Sequence, residues 1–262
     1  MDLGLKNKTA IVMASSAGLG KAVATELARE GANVMISSRR EDELKKVQAE
    51  IKSETGNEPA YTVADITNYD DIKNVVNSTV EKFGGVDILV NNAGGPPGGT
   101  FDKFDDETWL NAINLNLLSY IRSIREVVPY MKKAGQGWIL NCTSSGVKQA
   151  LPNLILSNTC RMGVVGLSKT LCDELGGDNI RVNVLAPGRI WTDRIAYLDG
   201  MRAEKMGVTL DEIQTSTSKS ISLGRYGDPA EFGRTAAFLC SEANTYTSGQ
   251  TVLVDGGLTT AY

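Results

Sequence analysis

Short β-branched, apolar runs alternate along this chain with longer amphipathic segments, and few folds accommodate that order. The alternation is typical of βαβ units, in which helices connect parallel strands and cover the sheet. Seven runs are predicted to be strands: residues 9–13, 33–37, 60–64, 87–91, 138–142, 181–186 and 251–255. The pattern therefore predicts an α/β fold with a parallel sheet of about seven strands and helices on both faces.

Helical periodicity and capping residues mark the segments between the strands. Leu19, Val23 and Leu27 follow one another at four-residue intervals and would share one helix face. Asp228 and Glu231 have the spacing of a capping box, with a proline directly after the Asp. No repeat, low-complexity tract or long linker divides the chain, so we expect one domain over residues 1–262.

One polar segment, residues 194–222, lacks a clean helical or strand period. It lies between the sixth and seventh predicted strands. Because connecting segments on a rigid scaffold often carry function, we predict that this segment forms a mobile lid over a substrate.

Charge and composition exclude several classes of function. Lys and Arg number 27 against 31 Asp and Glu, no run of like charge stands out, and we expect no nucleic-acid partner. The absence of histidine excludes catalytic triads and zinc sites built on imidazole. The 4 cysteines are too widely spaced for a paired metal site, so we predict buried free thiols and no metal. Without an apolar stretch long enough for a signal peptide or a membrane span, we expect a cytoplasmic protein with no membrane partner.

A turn of small residues follows the first predicted strand and leads directly into a helix. Small side chains let the backbone approach a diphosphate, whose charge is met by unpaired N–H groups and by the helix dipole. The residues of this turn that we predict to contact a dinucleotide are Ala14, Ser16, Gly18, Leu19 and Gly20.

These residues resemble the short-chain dehydrogenase/reductase family, whose turn reads T-G-x-x-x-G-x-G. This chain has Met13 and Ala14 where the family has Thr and Gly, and it retains Gly18 and Gly20. The resemblance extends over nearly the whole chain through matching positions: Asp65, residues 91–94 (Asn-Asn-Ala-Gly), Asn116, Ser144, Pro187-Gly188 and residues 254–257 (Val-Asp-Gly-Gly). It implies a Rossmann-type, doubly wound parallel sheet that binds a nicotinamide dinucleotide.

The resemblance also implies where residues lie along the cofactor. Asp65 and Ile66 would border the adenine, and Ile190 and Thr192 would face the nicotinamide amide. The other implied cofactor-side residues, at the end of the fourth strand and after the sixth, are Asn92, Ala93, Gly94, Pro187 and Gly188.

The end of the second predicted strand bears on which dinucleotide binds. An acidic residue there would hold the ribose 2′-hydroxyl of NAD(H), whereas an arginine accommodates the 2′-phosphate of NADP(H). The strand ends at Ser38, Arg39 and Arg40 without an acid, so we predict that Ser38 and Arg39 contact the 2′-phosphate. NADP(H) is therefore preferred, while NAD(H) stays open, because either arginine could instead pair with the acidic residues that begin the next helix.

The resemblance is incomplete at the catalytic positions. The family uses a Ser to polarise the substrate oxygen, a Tyr to relay the proton, a Lys four residues later, and an Asn on the preceding long helix. Asn116 and Ser144 match that pattern, but Ser157 stands at the Tyr position and Arg161 at the Lys position. An aliphatic hydroxyl is a far weaker acid than a phenol, and a guanidinium does not relay protons as an amine can.

Three functions remain open at this point. The first is hydride transfer between nicotinamide and a carbonyl or alcohol, with the proton supplied by water, by Ser144 and Ser157 together, or by Lys148 or Tyr197. The second is a cofactor-binding sensor or partner-binding protein without turnover, and the third is other chemistry such as dehydration or isomerisation.

The substrate is only loosely specified by the sequence. The Gly- and Pro-rich loop 94–99, Trp191 and the predicted lid would line its pocket, and Arg189 or Arg194 could attract a carboxylate or phosphate. We therefore expect a small-molecule carbonyl compound or alcohol. The family resemblance further implies a homodimer or homotetramer.

Overall fold

The computed structural model describes residues 2–261 and contains one parallel sheet of seven strands. The strands are β1 (Thr9–Val12), β2 (Asn33–Ser38), β3 (Ala60–Val63), β4 (Ile88–Asn91), β5 (Gly137–Cys142), β6 (Ile180–Pro187) and β7 (Thr251–Val254). Their order across the sheet is β3-β2-β1-β4-β5-β6-β7, and every neighbouring pair is parallel. The predicted fold class is confirmed.

Helices cover both faces of this sheet. They are α1 (Gly18–Arg29), α2 (Glu41–Thr55), α3 (Tyr69–Phe83), α4 (Asp106–Ile113), α5 (Ser119–Ala134), α6 (Ile155–Gly176), α7 (Asp193–Met206), α8 (Leu210–Lys219) and α9 (Pro229–Leu239). Leu27 of α1, Leu44 of α2 and Phe232 of α9 belong to one core cluster, which also contains residues of β1, β2 and β4. Ile72 of α3 and Val127 of α5 belong to a second cluster, so the sheet is enclosed by two apolar layers.

The order of the strands reverses beside β1. From β1 the chain passes outward through β2 to β3, and it then returns to place β4 on the other side of β1. The connections after β1 and β4 therefore leave the sheet in opposite directions, which opens a crevice at the carboxyl ends of these strands.

Residues 194–222, which show no clear period in the sequence, form two helices. α7 is capped by Thr192, whose hydroxyl accepts from the Ile195 N–H, and α8 begins with a capping box of Thr209 and Glu212. These two helices bury few apolar side chains, so the usual amphipathic signal is weak. The lid function of this segment stays a prediction.

A buried carboxylate ties α7 to the rest of the protein. Asp199 is fully buried, and it accepts hydrogen bonds from the Arg189 guanidinium at 3.0 Å and from the Tyr226 hydroxyl at 2.7 Å. Arg189 follows β6 and Tyr226 precedes α9, so α7 is held to two separate loops. Removing either partner would take a hydrogen bond from a fully buried carboxylate, so these contacts fix the position of this turn of α7.

The predicted helix cap and the cysteines can be located in the structure. Asp228 caps α9 in the predicted capping box. All four cysteines are free, three of them buried and Cys172 half-buried. Between residues 2 and 261, no helix is both long and apolar enough to cross a bilayer.

Candidate active site

Two cavities meet at the carboxyl ends of β1 and β4. The Ser144 cavity, of about 370 Å³, is lined by Ser144, Ser157 and Arg161, among others. The Asp65 cavity, of about 490 Å³, is lined by residues that include Ser38, Arg39 and Asp65. Ala14, Gly94 and Gly95 line both cavities and form the neck between them.

The turn between β1 and α1 forms one wall of this neck. A Cβ on Gly20 would lie 2.6 Å from the Ala14 carbonyl oxygen and 2.7 Å from Asn92 Nδ2, so only glycine fits there. Asn92 Nδ2 donates to the Ala14 oxygen at 3.0 Å, and Ala14 adopts a positive φ of 48°. The wall beside the N-terminus of α1 is therefore made mainly of backbone. A diphosphate can approach such a surface closely and accept hydrogen bonds from the N–H groups of the helix terminus.

Two neighbouring serines of this turn have different positions. Ser16, the predicted cofactor residue, lines the Asp65 cavity. Ser15 is fully buried, donates from Oγ to the Val12 carbonyl at 2.8 Å and accepts from the Ser37 N–H at 3.0 Å. Ser15 thus fastens the turn to β2, a role that the sequence did not distinguish from that of Ser16.

The two arginines at the end of β2 also differ. Arg40 forms an ion pair with Glu43 in the first turn of α2. Arg39 is exposed beside the Asp65 cavity, and within residues 2–261 it forms no ion pair with a carboxylate. Of the two, Arg39 is the one whose charge is free to meet a ligand phosphate.

The carboxylate of Asp65 has internal partners. It accepts from the Thr67 N–H at 2.9 Å and from the Thr67 hydroxyl at 2.7 Å. Partial burial would raise the pKa of Asp65, but these hydrogen bonds and the charge of Arg39 outweigh burial and lower it. Asp65 therefore remains ionised near neutral pH.

Arg161 is the central group of the Ser144 cavity. It lies one turn after Ser157 on α6, is only 6% exposed, and donates to the Cys142 carbonyl at 3.0 Å and to the Ala93 carbonyl at 3.4 Å. No carboxylate pairs with it within the described part of the chain. The cavity consequently has a buried, geometrically fixed positive charge on its wall.

Two neighbours of Arg161 are held neutral by their surroundings. Burial raises the pKa of Tyr120 and that of Cys142 to about 12 each, although the Arg161 charge opposes both shifts. The Tyr120 hydroxyl donates to the Cys142 carbonyl at 2.8 Å, the same oxygen that accepts from Arg161. Tyr120 does not line the Ser144 cavity, so this phenol is not in position to donate a proton to a ligand there.

Ser144 retains a free donor. Its Oγ accepts from the Gly146 N–H at 3.1 Å, which leaves the hydroxyl hydrogen available to a ligand oxygen. The neighbouring Thr143 also lines the cavity, and its buried hydroxyl has no hydrogen-bond partner among residues 2–261. Thr143 was not predicted, and its position beside Ser144 was the only sequence signal that could have indicated it.

Asn116 lies behind the cavity wall. A short π-helical turn, Asn114–Leu118, separates α4 from α5 and buries this side chain completely. Asn116 Nδ2 donates to the Gly94 carbonyl at 2.8 Å, while its buried Oδ1 has no partner among the described residues. Asn116 therefore supports the neck loop, and π-turns of this kind are frequent at functional sites.

All but two of the predicted site residues line one of the two cavities. The exceptions are Asn116 and Gly20, which both lie just behind the wall.

Among the alternative proton donors, Lys148 is exposed and Tyr197 is 59% exposed, and neither lines the Ser144 cavity. Of the two candidate substrate arginines, Arg189 is paired with Asp199, whereas Arg194 lines the Ser144 cavity. The roles assigned to all these residues stay predictions.

Comparison with known proteins connects this geometry to a family. The family model described as "Enoyl-(Acyl carrier protein) reductase" matches residues 13–259. "Dehydrogenase/reductase SDR family member 4" of Sus scrofa is 36% identical over 256 residues, covering 97% of this chain and 88% of the relative. The 3-oxoacyl-[acyl-carrier-protein] reductase FabG of Thermotoga maritima is 33% identical over 254 residues, covering 97% and 98% of the two chains. The crystal structure of L-sorbose reductase from Gluconobacter frateurii, complexed with NADPH and L-sorbose, superposes with a TM-score of 0.95 at 32% identity and covers 100% of both chains.

Proposed function

Because the chain belongs to the short-chain dehydrogenase/reductase family, we propose that it is an NADP(H)-dependent oxidoreductase acting on a small-molecule carbonyl compound or alcohol. The observation that carries the proposal is the pair of joined cavities at the reversal of strand order. One cavity offers an unpaired arginine and the other offers two hydroxyls beside a buried cation. Open α/β sheets bind dinucleotides at such a place.

The Asp65 cavity would take the adenosine half of the cofactor. Arg39 and Ser38, at the end of β2, line this cavity and would contact a 2′-phosphate, and Ile66 would offer an apolar edge to the adenine. The neck, with the start of α1, would hold the diphosphate. The similar structure of L-sorbose reductase is likewise complexed with NADPH.

The Ser144 cavity would take the nicotinamide and the substrate. The bound cofactor supplies or accepts a hydride. Ser144 would donate its free hydroxyl hydrogen to the substrate oxygen, and Arg161 would stabilise the negative charge that develops on that oxygen during reduction. Ile190 and Thr192 line the same cavity and would position the nicotinamide.

The proton that completes a reduction needs a separate source. Ser157 and Ser144 both line the cavity, so a water molecule in the cavity could pass a proton to the substrate oxygen through their hydroxyls. Arg161 keeps its own proton and acts by charge alone. We therefore expect slower proton delivery than a phenol would give.

A second candidate is binding of the cofactor without turnover. The observation that favours it is the pair of Ser157 and Arg161, which supplies hydroxyl and charge to a ligand but no acid that titrates near neutral pH. Such a protein would report the redox state of the nicotinamide pool or bind a partner.

The test combines binding with turnover. NADPH and NADH affinities are measured by calorimetry, and hydride transfer is then followed by absorbance across ketones, aldehydes and α,β-unsaturated carbonyl compounds. We expect NADPH to bind more tightly than NADH and at least one compound to oxidise it. Binding of neither dinucleotide at millimolar concentration would overturn the proposal.

The double variant Ser157→Tyr/Arg161→Lys separates the two candidates. If the wild-type pair has its own chemistry, the double variant loses activity that the wild type shows. If only the double variant oxidises NADPH, the wild-type protein is a binding protein. Substrate and cofactor affinities measured in parallel show whether the substitutions disturb the cavity itself.

Two exposed apolar side chains bear on assembly. Leu110 of α4 and Met162 of α6 are 65% and 47% exposed, which suits helix-mediated pairing with a second copy of the chain. We propose that the protein is a homodimer or homotetramer and that it is located in the cytoplasm. Size-exclusion chromatography with light scattering would test the oligomeric state.

A further inference from the structure

Arg194 borders the neck between the two cavities. It lies in the first turn of α7 and lines the Ser144 cavity. A Cβ placed on Gly95 would lie 3.4 Å from an Nη atom of Arg194, so the guanidinium rests beside the loop that follows β4. Gly95 belongs to both cavities, and the Arg194 guanidinium therefore lies beside the passage that joins them.

The start of α7 also faces the start of α1. A Cβ placed on Gly18 would lie 3.6 Å from Cγ2 of Thr192, the residue that caps α7. The glycine turn thus forms one wall of the neck, and the first turn of α7 lies against it. A ligand that occupies both cavities passes between the Ala14 backbone and the Arg194 guanidinium.

The charge of Arg194 is available to such a ligand. Between residues 2 and 261 it forms no ion pair, and its guanidinium carbon lies 5.9 Å from the centre of the Tyr197 ring. Arg189, five residues earlier, is instead paired with the buried Asp199. Of the two arginines, only Arg194 lines a cavity that reaches the neck.

A dinucleotide has its two diphosphate charges midway between its adenosine and nicotinamide halves. If the halves occupy the two cavities, the diphosphate lies at the neck. An arginine is suited to this group because its planar fork matches phosphate oxygens.

We propose that Arg194 is a latch that binds the cofactor diphosphate from the α7 side and closes the neck over it. The inference rests on the proposed function and adds a binding residue to it. The contact is common to NADPH and NADH, in contrast to Arg39, whose phosphate occurs only in NADPH. Because α7 is the first helix of the predicted lid, the latch would hold this end of the lid in place when the cofactor is bound.

The test compares Arg194→Gln with Arg202→Gln, a matched variant of an exposed arginine two turns later on α7. Affinities and dissociation rates of NADPH and NADH are measured by stopped-flow fluorescence. For Arg194→Gln, both dissociation constants are expected to rise about tenfold, mainly through faster dissociation, as loss of one charge-assisted hydrogen bond predicts. Arg202→Gln should behave as the wild type.

Adenosine 2′-monophosphate provides the discriminating probe, because it carries the 2′-phosphate but neither phosphate of the diphosphate. The latch predicts that this compound binds equally to the wild type and to Arg194→Gln. Equal weakening of all three ligands would show a general electrostatic effect and overturn the latch. Unchanged dinucleotide affinity with a raised substrate KM would assign Arg194 to the substrate and also overturn it.

The failure of the latch and the failure of the proposed function have different signatures. If the wild type binds a dinucleotide and Arg194→Gln binds it equally well, the latch alone is wrong. If the wild type binds neither dinucleotide, the proposed function is wrong and the latch falls with it. Thermal unfolding of each variant in the absence of ligand shows that the fold is intact.

Discussion

Arg39 and Arg161 lie at opposite ends of the cleft and carry the same charge, but they differ in burial and in hydrogen bonding. Arg39 is exposed and unpaired within the described chain, whereas Arg161 is buried and held by the carbonyl groups of Cys142 and Ala93. An exposed guanidinium is screened by salt and adapts to a ligand. A buried one has its position set by the fold before any ligand arrives, at a cost in desolvation.

The difference suggests a division of work along the cleft. An adaptable cation suits selection between two cofactors that differ by one phosphate. A fixed cation suits stabilisation of charge that develops at a defined point in a reaction, because no reorganisation is needed at that moment. The two ends should therefore respond differently to substitution, salt and pH.

The largest effect is expected from Arg161→Met, which keeps an unbranched chain and removes the charge. The rate of hydride transfer measured in a single turnover should fall about 100-fold or more, as for removal of a preorganised electrostatic group. The free energy of unfolding should change by no more than about 1–3 kcal/mol, because the Ala93 carbonyl loses its side-chain donor while the desolvation cost of the buried charge is removed.

Arg161→Lys is the matched control for this substitution. It keeps the positive charge but replaces the planar guanidinium with an ammonium group. It should therefore recover part of the rate that Arg161→Met loses. A transfer rate in Arg161→Met equal to that of the wild type would show that the buried cation has no part in the reaction.

A smaller and more selective effect is expected from Arg39→Gln. The dissociation constant of NADPH should rise about tenfold at low ionic strength, while that of NADH changes little. The effect should shrink as salt approaches about 0.15 M, where exposed charges are screened beyond about 8 Å. Isothermal titration at several salt concentrations measures both quantities.

Arg40→Gln is the control, because Arg40 is already paired with Glu43. It should leave the ratio of NADPH to NADH affinity unchanged. If Arg40→Gln abolishes the preference instead, the two arginines have exchanged the roles proposed for them.

The smallest effect is the pH dependence of stability. Near Arg161, the pKa values of Tyr120 and Cys142 are raised from 10.0 and 9.0 to about 12, so folding favours their neutral forms. That contribution is intact below about pH 9 and is lost as the pH rises towards about 12. At the Asp65 end of the cleft, the pKa of Asp65 is lowered from 3.8, and the contribution of this carboxylate to the free energy of unfolding is lost only in acid.

These three groups should therefore leave the free energy of unfolding nearly constant between about pH 5 and 9. Urea unfolding at intervals of one pH unit measures it, and Cys142→Ala should reduce the alkaline loss. A marked fall between pH 6 and 8 would contradict this account, since the chain has no histidine to titrate there.

Local patterns were sufficient for much of the fold and of the cleft. The strands were predictable because buried parallel strands are short continuous apolar runs. The glycine turn was predictable because Gly20 is required by a close backbone approach that leaves a visible mark in the sequence. α7 and α8 were missed because they bury few apolar residues and so lack the amphipathic period.

Chain order and residue type by themselves determined the parallel sheet, the small-residue turn and the one-turn spacing of Ser157 and Arg161 on a helix. Only the tertiary structure decided which charges are free. It buried Arg161 against backbone carbonyls, paired Arg189 with Asp199 and left Arg194 over the neck. The physical reason is that a charge is neutralised or left available by atoms within about 4 Å, and those atoms come from segments far apart in the chain.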